Sequence, residues 1–545
     1  MQRHMITLTL VTLMWTGHAL GQSGWVAPSQ PLGAVARNAV LLPPVQHGSV
    51  YYEDGLVLYF RNTGGSSEGA YLWNPSTGTT LSARTPSPGP NPGGNFFCGG
   101  HAFDAFGRVV FGGGQSGQGG NCGIQTLGVY DPHNSPNPGK VGTLIAAPDM
   151  YAGRWYPTCL TVANGNVWLI GGKLHVPPDP PGNCLPNTFV EWYTPDPDPG
   201  EPGLLTKEDQ QIADASTYPK FHLMGGVNAV ADMAHAGPGV NPEGRTYWYN
   251  TAEPGRGLID GPLTALTKDN NDIATSRFQS TSVLLPLDLR QNPPVEEVLV
   301  ISGLASAQNL NTFLTPTCEI LRYDSLEEEW VWVFTPTNLN HGRQRADVVL
   351  LADGTPSLVG GVGGGSGNQY AFPVFTPEVF INGVWSTLPN HTYPRGYHSV
   401  ALLLRDGSVW VAGDDNPDAV QPPLDPHPGE RVEIYRPWYF DHPRPSIIWP
   451  ATEPVLIERT GTFPVVYSLP QGREFGYVAL IALSSVTHST NFSQRYVILI
   501  SEDSQPGIRS VTPPPAAFAP PGPYMMVVVD NLGVPSVAEF VYLDF

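Results

Sequence analysis

The stretch LLRDGSVWVAGDD, residues 403–415, is a short apolar run, an Asp-Gly turn, a second apolar run centred on a tryptophan, and a glycine where that run ends. Alone, an Asp-Gly pair between apolar runs marks a hairpin and nothing more. The whole phrase returns, however, as DAFGRVVFGGG (104–114), VANGNVWLIGG (162–172) and LLADGTPSLVGG (350–361). A glycine pair also begins at Gly225, a weaker copy is VLVISGLA (298–305), and a leading copy is GSVYYEDGLVLYF (48–60). Repetition of one strand-turn-strand-glycine unit at a spacing near 50 residues is the pattern of a propeller blade. Unrelated sandwiches with ordinary hairpins would explain the turns but not the return of the unit.

The phrase gives seven units and stops near Pro437. From RPSIIWP (444–450) to Phe545 the chain alternates short strands over about 100 residues, the length of an immunoglobulin-like sandwich. The predicted fold is therefore all-β: a seven-bladed kelch-type β-propeller over residues 22–440, followed by a C-terminal immunoglobulin-like β-sandwich over 441–545.

Composition agrees and narrows the partners. The 61 glycines and 58 prolines would suit a disordered chain, but 13 Trp, 22 Tyr and 21 Phe supply ample core material. A net charge of −20 with no basic run removes the electrostatic footprint of a nucleic-acid or anionic-membrane binder, leaving a small-molecule or neutral partner. The start, MQRHMITLTLVTLMWTGHALGQ, carries a basic Arg3, an apolar stretch from Met5 to Trp15 and small residues before Gly21, which predicts a signal peptide over 1–21 and a secreted protein. No later segment has the roughly 18 uninterrupted apolar residues of a membrane span.

Five cysteines are an odd number for an oxidising compartment. Cys122 and Cys184 sit in Gly- or Pro-rich loops and could pair, whereas Cys159 and Cys318 lie in apolar runs and read as buried thiols. Cys98 is left over.

Four stretches do not fit the blade phrase: NFFCGGHAF (95–103), AGRWYPTCL (152–160), RGYHSVALLL (395–404) and SSVTHSTNFSQRY (484–496). Three of them open an apolar strand with a side chain that prefers water. Innermost strands of different blades end in one central funnel, so Cys98, Tyr156 and the adjacent Tyr397 and His398 can converge there. Adjacent side chains on a strand face opposite ways, so Tyr397 and His398 share a site only if the chain bends between them. His101, His175, His235 and His391 satisfy a simple search for metal-binding side chains equally well.

The motifs FFCGGHAF, RWYPT, RGYHS and THSTNFSQR, in that order, together with the ending PGPYMMVVVDNLGVPSVAEFV (521–541), resemble the copper radical oxidases, the family of galactose oxidase and glyoxal oxidase. The resemblance runs from about the first blade to the end of the chain. It implies one copper ion held by Tyr156, Tyr397, His398 and His488, with Tyr156 joined through a thioether to Cys98 as a protein-derived radical cofactor. Two imidazoles and phenolate oxygens suit tetragonal Cu(II), and a cation lets a phenol ligate as phenolate at neutral pH. Implied chemistry is two-electron oxidation of a small molecule with O2 reduced to H2O2, Tyr397 taking the substrate proton and Tyr156 a hydrogen atom.

Two details bear on the substrate. Where galactose oxidase stacks a tryptophan over its thioether, this chain has Leu174, which leaves Trp155 as a candidate shield and substrate contact. RWYPT and NHGRQRADVVLLADG (340–354) resemble the glyoxal oxidase branch, with Arg345 a candidate substrate contact. The expectation is a monomer oxidising small aldehydes as hydrates to acids; simple primary alcohols or a galactose-type substrate are the alternative. A non-catalytic extracellular binding propeller is the reading from another class, since propellers host many functions.

Overall fold

The computed structural model describes residues 22–26, 30–60, 70–81, 94–116, 122–135, 139–175, 184–198, 200–211, 217–225, 228–232, 246–250, 258–259, 276–306, 312–326, 329–366, 369–414, 427–450 and 453–545. The expected export signal and His235 lie outside the described residues, as does the side chain of His175.

Seven antiparallel blades follow one another along the chain, five as four-stranded sheets, blade 6 with a fifth strand and blade 1 extended to six, and each takes its first strand from the mouth of one repeat. Those first strands are Asn38–Leu42, Gly100–Phe103, Thr158–Thr161, Lys220–Met224, Thr281–Leu284, Gln344–Leu350 and Ser399–Leu403, for blades 1 to 7. They approach one another around a common axis. Blade 7 takes its fourth strand from the start of the chain, Gly24–Val26 pairing with Glu433–Arg436, so the ring is closed by its two ends. Blade strands are buried on both faces; Leu56–Phe60, Ser399–Leu403 and Val409–Gly413 are buried throughout. That is why the repeat reads as continuous apolar runs rather than as alternation.

The glycines that end each phrase have a steric reason. A Cβ on Gly113 would stand 2.2 Å from the Arg154 carbonyl oxygen, and one on Gly360 would stand 2.5 Å from that of Arg395. Each glycine therefore lets one blade press against the mouth of the next. The arginines at those mouths are themselves anchored. Arg154, Arg277, Arg343 and Arg395 are almost wholly buried and pair with Glu191, Glu319, Glu378 and Glu433 on the third strands of their blades. The same guanidinium groups donate to carbonyl oxygens at the end of the second strand: Gly171 at 2.8 Å, Ser302 at 3.2 Å, Gly360 at 3.0 Å and Gly413 at 2.9 Å. In blades 3, 5, 6 and 7 one cation thus ties the inner-strand mouth to strands two and three.

Beyond the propeller, two sheets pack as a sandwich around Val465, Val478, Leu480, Val528 and Val541. The two parts exchange strands. Leu287–Asp288, from blade 5, pairs in parallel with Tyr496–Ile498 of the six-stranded sheet. In return the hairpin Ser485–Thr487 and Thr490–Asn491 runs into the axis and pairs with the inner strand of blade 1, Asn38 opposite Thr487. The edge that this inner strand would leave unpaired is thereby covered. His101 fastens the hairpin: its Nδ1 is 2.5 Å from Ser485 Oγ and its Nε2 is 3.2 Å from Asn38 Oδ1.

Removing one partner of a buried pair leaves an uncompensated charge, so Glu319→Ala is expected to lower denaturant-measured stability by about 3–5 kcal/mol. A loss below about 1 kcal/mol, the scale of an exposed pair, would show that the bracket is not holding blade 5. Burial lowers the His101 pKa to about 3, against 6.5 in an unfolded chain. As pH falls below 6.5 the unfolded chain takes up a proton that the folded chain refuses, so stability declines by roughly 1.4 kcal/mol per pH unit until about pH 3. In His101→Gln that share of the slope should be missing when unfolding free energies at pH 6.5 and 5 are compared.

Candidate metal centre

One residue at the mouth of each inner strand in blades 2 to 7 is a non-glycine in the left-handed region: Cys98 (φ 60°), Tyr156 (66°), Tyr218 (47°), Gln279 (56°), Arg345 (61°) and His398 (66°). Each such residue costs on the order of 1–3 kcal/mol and persists only where its surroundings over-determine it. The arginine brackets supply that determination. Arg154, Arg277 and Arg343 each stand two residues before the left-handed position, and Arg395 stands two before Tyr397. Arg345 lies between the pairs Gln344–Val362 and Ala346–Gly360 of an unbroken register, and its side chain lines the cavity.

The left-handed turn at His398 brings two neighbours to one place, with the rings of Tyr397 and His398 3.8 Å apart. His488 arrives from the axial hairpin, at the first position of a two-residue turn in which His488 (φ 48°) and Ser489 (62°) are both left-handed. Its ring stands perpendicular to that of His398 at 4.1 Å and lies 4.7 Å from that of Tyr156. The hydroxyls of Tyr156 and Tyr397 are hydrogen-bonded to each other. Cys98 Sγ is 3.8 Å from His488 Nε2, and the Tyr156 amide donates to the Cys98 carbonyl at 2.8 Å.

Hydrogen bonding fixes the tautomer of His488. Thr487 Oγ1 donates its proton to the Arg37 carbonyl at 2.8 Å, so towards His488 Nδ1, 2.7 Å away, it can only accept. Nδ1 therefore carries the hydrogen, and the lone pair of Nε2 faces Cys98 and the phenols. Burial, then the charges of His398, Lys220, Arg37 and Arg345, hold the imidazole pKa well below its usual value, so it stays neutral. Burial, then Cys98 and Tyr397, push the Tyr156 phenol well above its ordinary range. A cation placed among these atoms would reverse that second effect and favour the phenolate.

All seven residues named from the sequence occupy this region, though not alike. Tyr156, Tyr397, His398, His488 and Arg345 line a cavity of about 120 Å³, and Cys98 lies beside it. Arg345 has its guanidinium 4.9 Å from the Tyr397 ring centre and its Nε donating to Gln279 Oε1 at 2.5 Å. Trp155 does not line that cavity. It stacks on Tyr156 at 4.0 Å, and Tyr218 stacks on the same ring at 4.7 Å, so the phenol lies between two aromatic planes. Cys122 and Cys184 form a disulfide beside Trp155, and Cys159 and Cys318 are buried free thiols, like Cys98.

Sequence reasoning missed Tyr218, Lys220 and Gln279, which share the cavity wall. A signal existed: TYPK (217–220) repeats the wording of WYPT (155–158), and RFQS (277–280) aligns its arginine with RWYP (154–157). Two of the other candidate histidines have structural partners. His101 anchors the hairpin, and His391 Nδ1 bonds the Tyr393 carbonyl at 2.7 Å. Among the described residues, the cluster of His, Cys, Asp and Glu side chains placed to hold a metal is Cys98, His398 and His488, without a carboxylate.

Residues 274–439 match the glyoxal oxidase N-terminus and residues 444–543 the galactose oxidase-like early set domain. Aldehyde oxidase GLOX1 of Arabidopsis thaliana is 31% identical over 48% of this chain and 47% of its own length. Galactose oxidase of Gibberella zeae is 25% identical over 88% of this chain and 65% of its own, and a WSC domain-containing protein of Arthroderma benhamiae is 27% identical over 78% and 43%. The chain thus spans less than two thirds of the length of these relatives. A fungal alcohol oxidase of the AA5 family, solved in complex with copper, superposes with a TM-score of 0.71 at 20% identity over 97% of this chain and 100% of that one, which shows the shared fold. Two regions of the chain thus match, in order, the glyoxal oxidase N-terminus and the galactose oxidase-like early set domain, on the fold of a copper-complexed alcohol oxidase, with the motifs gathered at its axis.

Proposed function

We propose that this chain is a secreted, monomeric copper radical oxidase that converts small aldehydes, as their hydrates, to carboxylic acids while O2 becomes H2O2. The observation that carries the reading is the donor set: two phenol hydroxyls in contact, a buried and a partly buried imidazole at right angles and a thiol beside them, with no carboxylate. Neutral nitrogens plus phenol oxygens suit Cu(II), whereas hard cations require an oxygen cage.

Tyr156, Tyr397, His398 and His488 would hold the ion. Bound there, copper would supply one-electron redox change and Lewis-acid activation of a substrate oxygen. The rest belongs to the chain. Tyr397 is placed to receive the substrate hydroxyl proton. Tyr156, once joined to Cys98 Sγ, is the ring that stores an oxidising equivalent and takes a hydrogen atom from the substrate carbon. Trp155 and Tyr218 cover its faces and keep water from it. The aldehyde hydrate gives up two electrons and two protons, which reduce O2 to H2O2.

Size favours the small substrate. A cavity of about 120 Å³ is below the ~150 Å³ that accommodates benzene and far below a drug-sized pocket, so a molecule of a few carbons fills it. The glyoxal oxidase match over residues 274–439 and the aldehyde oxidase relatives support the same choice. The Cys122–Cys184 disulfide is consistent with export to an oxidising compartment.

Copper-loaded protein given methylglyoxal should release H2O2, with Tyr156→Phe at background and Tyr397→Phe slower by on the order of 10²–10⁴-fold. Peptide mapping should find Cys98 and Tyr156 in one species two hydrogens lighter than the sum of its parts. Faster turnover of primary alcohols would move the substrate to the alternative branch. No peroxide from any aldehyde or alcohol, with separate Cys98 and Tyr156 peptides, would leave a binding propeller.

A further inference from the structure

The turn that presents His488 is strained at two consecutive residues, so something must hold its far side. That side is the Ser489 carbonyl, and it is gripped twice. Lys220 Nζ donates to Ser489 O at 3.0 Å and also to Thr490 Oγ1, and Thr281 Oγ1 donates to Ser489 O at 2.9 Å. Lys220 is 5% exposed and Thr281 3%. They are equivalent residues, the first of the inner strands in blades 4 and 5, each two positions beyond a left-handed residue, Tyr218 and Gln279. Lys220 also lines the cavity that holds the phenols and imidazoles.

We propose that Lys220 and Thr281 form a two-point clamp that positions His488 for its metal, and that the Lys220 ammonium, as the one cation of the clamp, also biases the bound copper toward its lower charge. The inference rests on the copper reading above. Its physical basis is simple. Both hydrogen bonds fix the carbonyl one residue beyond His488, so losing either lets the imidazole wander, as loss of groups supporting a metal ligand commonly does. A fixed positive charge in a partly desolvated cavity repels Cu(II) more than Cu(I). In this grip the ammonium bonds a carbonyl and a hydroxyl, and its charge also reaches the buried Asp347 carboxyl.

The two residues separate the two effects. Thr281→Val removes one hydrogen bond without touching charge. Competition with Cu(II) and Cu(I) chelators should show both affinities falling by a similar factor, roughly 10-fold. Lys220→Met removes a hydrogen bond and the charge together, so Cu(I) affinity should fall further than Cu(II) affinity and the midpoint potential should drop. Lys220→Arg, which keeps the charge, should leave the ratio near wild type. The Cu(II) electron paramagnetic resonance spectrum should change in Lys220→Met and Thr281→Val. Unchanged affinities and spectra in both, or equal losses of Cu(II) and Cu(I) in Lys220→Met, would overturn the clamp or its charge bias respectively. Wild-type protein that binds no copper would instead remove the reading beneath it.

Discussion

Four of the seven mouths at the axis depend on a repeated bracket, a buried arginine that ties the mouth of an inner strand to the two strands outside it. Arg154, Arg277, Arg343 and Arg395 do this in blades 3, 5, 6 and 7, each against its own glutamate. An extended strand would send consecutive side chains to opposite faces. By fixing the backbone just upstream, the bracket lets the chain hold a left-handed residue that an isolated peptide would avoid, and that residue aims its side chain at the axis. Desolvating eight charges is expensive, and well-packed apolar residues of similar volume could stabilise a blade equally well. What the ion pairs provide is a specified backbone path at the mouth, which a purely apolar contact does not impose.

The ring of mouths divides into two arcs. Cys98, Tyr156 and His398, with Tyr397, face the axial hairpin and His488, and they carry the donors proposed for copper. Tyr218, Gln279 and Arg345 close the rest of the cavity: Tyr218 covers the Tyr156 ring, and Gln279 fixes Arg345 over Tyr397. A single backbone device, repeated around the ring, thus builds the donor set on one side and the wall for a small molecule on the other. The hairpin completes it from a different sheet system, so the centre is stable only while propeller and sandwich stay docked. The exchanged strand Leu287–Asp288 and the His101 network serve that docking.

Much of this was legible before any coordinates. Asp-Gly phrases set the blades, because both faces of each strand are buried and the apolar run survives as a word. The four motif stretches supplied residues that the fold brings together at the axis, three of them at a strand mouth and His488 on the hairpin turn. The suspected pairing of Cys122 with Cys184 was readable from their loop contexts, and so were the buried thiols. What stayed hidden was relational. Glu319 and Glu378 look like ordinary strand residues until each is set against an arginine many positions upstream. Tyr218 carries no metal signature, and its role arises from stacking alone. The closing strand Gly24–Val26 is too short to announce itself, and Trp155, expected both as a shield and as a substrate contact, stacks on the Tyr156 ring but does not line the cavity.

The central claim is spatial, that one ion is enclosed by phenols from two blades, an imidazole from one of them and an imidazole from the hairpin. Diffraction at the copper edge from crystals loaded with one equivalent of Cu(II) tests it directly. The account predicts a single anomalous peak within bonding distance of Tyr156, Tyr397, His398 and His488, with continuous density from Cys98 Sγ to the Tyr156 ring. A peak at the buried His101 or at a surface histidine, or His488 beyond bonding reach of the peak, would contradict it.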